Sequence, residues 1–133
     1  MDAFVQPLYE LADFDAIIRQ LKKPGIVQVS GCLDSQKAHF TNGLLREFPF
    51  RLIVAENDLK AKAFYEDFRL YDPEVLYYPA MDLIFYQADI HGNLLTRQRI
   101  QVLRALLERE EVTIVTSIDS CLDCLVQIGR AHV

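Results

Sequence analysis

Gly31 and Lys37 stand six residues apart in the stretch Ile26 to Phe40, IVQVSGCLDSQKAHF, which reads as a strand, a glycine-led turn and a helix start. That is the spacing of a phosphate-binding loop, G-x-x-x-x-G-K-[ST]. In such a loop the glycines let backbone N–H groups curl round phosphates, the lysine reaches the outer phosphates and the hydroxyl holds Mg²⁺. Here Gln36 replaces the second glycine and Ala38 replaces the hydroxyl residue. The tight curl and the magnesium ligand are both missing, which predicts a nucleotide-binding fold that no longer turns over nucleotide. The same residues also suit an ordinary α/β turn, in which Ser35 is an N-cap and Lys37 and His39 are solvated first-turn residues.

Other chemistry-bearing residues are sparser. Cys121 and Cys124 have the spacing of a zinc or redox pair, but zinc needs four ligands and only Cys32 and His39 could add to them. Small apolar fillers one helical turn apart are the simpler reading. His39, His91 and His132 are dispersed and assemble no nucleophile–base set. Glu108, Glu110 and Glu111 end a helix beside Arg104 and Arg109 as a solvated face. Tyr77 and Tyr78 could stack on nucleobases, yet strand-end tyrosines usually pack in the core with the hydroxyl at its rim. Arg99 falls inside an apolar helical stripe and so needs a carboxylate, with Asp82 or Asp89 as the expected structural ion pair. The arginines 97, 99, 104 and 109 also raise a DNA-binding helix as a weaker reading. No catalytic residue, metal or cofactor is predicted.

The elements that would position these residues alternate. Phe14, Ile17, Ile18 and Leu21 mark an amphipathic helix from Asp13 to Lys23, capped by Asp13 and stopped by Pro24-Gly25. A strand Ile26–Ser30 leads into the loop. Thr41, Leu44, Leu45 and Phe48 share one face of the next helix, in which Gly43 costs about 1 kcal/mol of helix propensity relative to Ala without any evident purpose. FRLIVA, Phe50 to Ala55, is a strand, and Asn57 or Asp58 caps a helix with Ala61, Phe64, Tyr65 and Phe68 on one face. EVLYY, Glu74 to Tyr78, is a third strand between Asp72-Pro73 and Pro79. Leu83 to Tyr86 suggest a short helical turn. A helix follows from Leu94 to Arg109, lined by Leu95, Val102, Leu103 and Leu106 and edged by Ile100 and Leu107. VTIVT, Val112 to Thr116, is the clearest strand, and Ser117 or Asp119 caps a last helix through Leu125. This alternation predicts an α/β fold: a parallel sheet with helices on both faces.

At 133 residues the chain is one domain by length, with ordinary globular composition. Its formal charge of −5 argues against a surface that holds nucleic acid by phosphate neutralisation alone. No apolar run reaches bilayer length, the first residues, which include Asp2 and Glu10, lack a signal peptide's pattern, and three cysteines fit a reducing compartment. A cytoplasmic location without membrane contact is the expectation.

Several separate segments, in order, resemble one family. YYPAMDLIFYQADIHGNLLTRQRIQVLRALL followed by VTIVTSIDSCLD, together with LIVAENDLKAKAFYEDF and the altered loop, is similar to the N-terminal module of the bacterial transcription-repair coupling factor. The match covers most of residues 7 to 127. That module in turn is similar to the first domain of the B component of the bacterial excision nuclease, a helicase-like damage-recognition protein. The resemblance thus implies a P-loop NTPase topology with a degenerate phosphate loop. Gly31, Lys37 and Arg99 correspond directly. Asp34, Gln36 and Ala38 depart from the full loop, no glutamine-bearing adenine-recognition segment is present, and Tyr78 to Asp89 is too short for the aromatic hairpin of that B component. ATP hydrolysis and hairpin-mediated DNA opening are therefore not expected.

The resemblance implies a recruiting and autoinhibitory role. In the family, a C-terminal motor displaces stalled RNA polymerase, and the N-terminal module brings in the A component of the excision nuclease, chiefly through a small domain placed after the last elements seen here. The expected partners are that A component, other domains of the same parent chain, and RNA polymerase and DNA only through that parent. Residues 1–127 are read as the N-terminal subdomain, bound to the A component weakly at most when alone. IGRAHV, Ile128 to Val133, is what common sequencing-adapter bases encode, so 128–133 is predicted to be an artefactual tail.

Overall fold

The computed structural model describes residues 3–81 and 89–122, with only the backbone of 89–93. Three parallel strands, β1 (Phe50–Ala55), β2 (Leu76–Tyr78) and β3 (Val112–Ser117), form one sheet in the order β1-β3-β2. The last strand therefore lies in the middle. All six of its residues are buried, and the first five read as a continuous β-branched run for that reason. Its register sets Leu52 beside Ile114, Ile53 beside Val115, and Leu76 also beside Ile114.

Among the described residues the helices that accompany the sheet are α1 (Phe14–Leu21), α2 (Asp34–Leu45), α3 (Asp58–Phe68), α4 (Asp89–Glu108) and a short helical segment over 118–122. On one face Ala61 and Phe68 of α3 pack with Ala38 of α2, Val75 and Val115. On the other, Val102 and Ala105 of α4 pack with Tyr78, Val112 and Ile114. Helices thus cover both faces of a parallel sheet, as the alternation requires. Among the described residues, no helix is long and apolar enough to cross a membrane.

Local chemistry explains most boundaries. The Asn57 side chain caps α3 by accepting the Lys60 amide at 2.8 Å. The Asp72 carboxylate accepts the Glu74 amide at 3.1 Å and the Thr113 hydroxyl at 2.9 Å, fixing the turn before β2. That turn takes Glu74 and Val75, so β2 is shorter than its apolar run. The Ser117 hydroxyl accepts the Ser120 amide at 3.2 Å and caps a helix over 118–122. Asp13, by contrast, precedes α1 without capping it through its side chain.

The main correction concerns Ile26–Ser30. This segment is not a strand of the sheet; it runs without ladder pairing between α1 and α2, and Ile26 is 98% exposed. Strand propensity measures fit to a pleated, half-buried surface, and it does not supply a neighbour. Among the described residues, the outer edge of β1 is likewise without a ladder partner. The expected turn at Leu83–Tyr86, the last residues of the 118–122 helix through Leu125, and the tail 128–133 lie outside the described residues.

Gly43 acquires a reason. α1 and a 3-10 turn at Gln6–Glu10 pack on α2, where Leu8, Phe14 and Ile18 form a small core. A Cβ on Gly43 would collide with Leu8 Cδ1 and stand 3.0 Å from Phe14 Cζ, both on buried side chains. Overpacking costs about 1–3 kcal/mol, which outweighs the ~1 kcal/mol of helix propensity that alanine returns. Gly43→Ala is accordingly expected to lower stability in urea unfolding by about 1 kcal/mol; a stabilised variant would show that this contact yields freely.

Candidate functional site

The start of α2 lies beside the first turn of α3, since Asp34 feels the charge of Lys60 and Ala38 packs with Ala61, and α3 begins just past the carboxyl end of β1, the side on which open α/β sheets hold their ligands. The backbone of the altered loop bends at one place: Gly31 has φ +87°, and no other residue from Cys32 to Lys37 has positive φ. Leu33 is extended, at φ −70° and ψ 152°, and passes straight into α2. A phosphate-wrapping loop needs successive amides turned inward by repeated alternation of backbone hand, and between Gly31 and Lys37 positive φ occurs at Gly31 alone.

Each substituted residue is committed elsewhere. The Gln36 carboxamide turns back to accept the Leu33 amide at 3.4 Å, while the Gln36 amide donates to the Leu33 carbonyl at 2.9 Å. Gln36 therefore fastens the helix start instead of crowding a nest. Ser35 sits within the first turn of α2, exposed, and the N-cap position belongs to Leu33. Ala38 is 3% exposed and points into the α2–α3–sheet core, at the position where the motif would place its magnesium ligand.

Lys37 is exposed and donates to Asp34 Oδ1 at 2.6 Å within the same helical turn. Hydrogen bonding and charge from Lys37 hold the Asp34 carboxyl below its ordinary value, with a smaller contribution from Lys60; Asp34 raises the lysine correspondingly. Lys60 itself pairs with Glu56 at 2.5 Å. Both lysines at this end of the sheet thus face local carboxylates. His39 is not a solvated first-turn residue: its ring contacts the Phe4 carbonyl and stacks on Tyr71 at 5.2 Å, pinning the N-terminal segment to the end of α3.

Arg99 is buried as its place in the stripe requires, 4% exposed. Its Nε donates to the Pro79 carbonyl at 3.0 Å and its guanidinium lies 4.8 Å from the Tyr78 ring centroid. The Asp82 and Asp89 side chains expected to pair with it lie outside the described residues. The four arginines do not share one face: Arg97 and Arg104 lie seven residues apart on the exposed side of α4, Arg104 donates to Glu108 at 2.8 Å, Arg99 is inside, and Arg109, just past the helix end, approaches the Glu74 carbonyl. Cys121 is half-buried and Cys124 is outside the described residues; among those described, no group of three or more His, Cys, Asp or Glu residues could hold a metal ion.

Two features escape sequence reasoning. The Tyr77 hydroxyl donates to Asp58 Oδ1 at 2.5 Å, and the same oxygen accepts the Ala80 amide at 3.2 Å, tying the start of α3 to the end of β2. An acid in the first turn of a helix was legible, but not a tyrosine partner 19 residues away. Burial first, and then the Asp58 carboxylate, push the Tyr77 phenol above its ordinary value. Because the folded state raises this pKa, Tyr77 contributes stability below about pH 10, and that contribution is lost as pH rises beyond the unfolded value. Tyr77→Phe is expected to flatten this alkaline loss in melting temperature measured between neutral pH and about pH 11. An unchanged slope would remove Tyr77 as its source.

The second feature is an open cleft of about 370 Å³ along the outer edge of β2, between Tyr65 and Tyr77 on one side and Gln98 and Gln101 on the other. Comparison with known proteins found no match: no family model, curated protein or solved structure is significantly similar to the chain.

Proposed function

We propose that this chain is a non-catalytic docking domain, the opening part of the N-terminal module of a transcription-repair coupling factor, with a P-loop NTPase ancestry and a phosphate loop given over to packing. The observation that carries the non-catalytic reading is Ala38: the magnesium-ligand position of the loop is buried in the core, so even a hydroxyl there would not face a bound nucleotide. The assignment to the coupling factor rests on the sequence resemblance alone. In this reading the domain restrains the motor domains of its parent chain and contributes to recruiting the A component of the excision nuclease, with polymerase and DNA engaged only through the parent, in the cytoplasm.

The test is addition in trans. Added to a coupling-factor motor lacking its N-terminal module, the chain is expected to lower DNA-stimulated ATP hydrolysis saturably. No effect at any concentration would contradict the restraining role. A second reading, a nucleotide-binding fragment of a helicase-like ATPase, is favoured by the spacing of Gly31 and Lys37 and by the solvent exposure of Lys37.

A further inference from the structure

The face of the sheet under α4 is only partly covered. Phe50, Leu52 and Val54 of β1 are in register with Val112, Ile114 and Thr116, on the α4 side, yet remain 55%, 50% and 47% exposed. Gln98 and Gln101 of α4 line the cleft at β2. At 3.6 residues per turn, Leu103 and Leu107 therefore lie on the opposite flank of the helix, toward β1, with Ile100 beside Leu107 on its outward side. They are 42%, 89% and 57% exposed. The result is an apolar floor bounded by an apolar ridge, with no charged side chain among the six residues.

We infer that this corner is the self-association surface of the chain, and that its occupant is a second copy whose α4 ridge lies on the bare β1 floor. The corner is self-complementary. In a two-fold pair each ridge fills the other's floor and the two helices lie side by side between the sheets, which closes the contact at two copies. Its size also fits a second copy. At roughly 150–200 Å² for an apolar residue of this size, the six fractional exposures amount to at most about 500–700 Å² per copy, approaching the ~800 Å² each partner gives to a standard specific interface. A domain that works alone seldom leaves so much apolar side-chain surface open on one side. The β1 edge has no ladder partner among the described residues, and its charged residue, Arg51, points to the other face of the sheet and pairs with Glu111, so it does not interrupt the floor. This inference is independent of the loop.

Sedimentation velocity on the full 133-residue chain tests it. The expected result is a reversible shift, from low to high micromolar concentration, from 15.3 kDa to twice that mass. Leu107→Glu on the ridge and Leu52→Lys on the floor each alter an exposed side chain and should each hold the chain at monomer mass with an unchanged circular dichroism spectrum. Mixed together they should regain dimer, because one of the two symmetric contacts then sets the introduced carboxylate against the introduced ammonium. An unsubstituted chain monomeric throughout, dimers that survive both substitutions, or open-ended aggregation would each overturn the proposal; the first would leave the corner to a different protein segment.

Discussion

Arg99→Ala is expected to lower the free energy of unfolding by about 3 kcal/mol, a large share of the 5–15 kcal/mol typical of a domain. The side chain is 4% exposed, so its removal empties a site that solvent does not reach. The Pro79 carbonyl loses a charge-assisted donor at 3.0 Å, which is worth about 1.5–3 kcal/mol. The Tyr78 ring loses the cation over its face, worth up to about 2 kcal/mol when desolvated. Tyr78 ends β2 and Pro79 follows it, so the damage should fall on the β2–α4 side of the sheet. Urea unfolding checks the total, and amide exchange checks the place. Arg99→Lys should recover part of the loss, because an ammonium can donate to one carbonyl but cannot stack as a plane. A loss below about 1 kcal/mol for Arg99→Ala would mean that the guanidinium is incidental to this packing.

Ala38→Thr restores the hydroxyl of the phosphate-loop motif and is expected to cost about 3 kcal/mol while conferring no nucleotide binding. The buried site beside Ala61, Phe68 and Val115 would have to admit an extra methyl and an oxygen. Overpacking contributes about 1–3 kcal/mol, and an unsatisfied buried hydroxyl about 1–3 kcal/mol. Bonding of the hydroxyl to the preceding helical turn would offset some of this. Thermal and urea unfolding measure the cost. Stability equal to that of the unsubstituted chain, accompanied by magnesium-dependent ATP binding, would show that the hydroxyl position opens toward the loop and not into the core.

How legible these features were depends on whether the cause is local. The amphipathic patterns of α1 and α3, the apolar run of β3 and the Asn57 cap report their own surroundings, and the helix–strand alternation led to a parallel sheet covered on both faces. α4 was legible from Leu94 onward, though it begins at Asp89. Strand order, with β3 between β1 and β2, was not legible, because neighbours in a parallel sheet are distant in sequence. Ile26–Ser30 misled for the related reason that a strand-like composition carries no information about an available edge. In the loop, the missing glycine and hydroxyl were plain at Gln36 and Ala38, whereas the new employment of each residue was not. Gln36 caps its own helix and Ala38 serves the core, and both depend on where α2 comes to rest. Gly43 shows the same limit: its cost was visible in the helix, and its cause lay on Leu8 and Phe14.

Calorimetric titration of ATP into the purified chain, with and without Mg²⁺, tests the central claim most directly. A loop without a nest, with Lys37 turned onto Asp34 and the metal-ligand position in the core, should give no saturable heat up to millimolar nucleotide. Micromolar binding that requires magnesium and disappears in Lys37→Ala would contradict it.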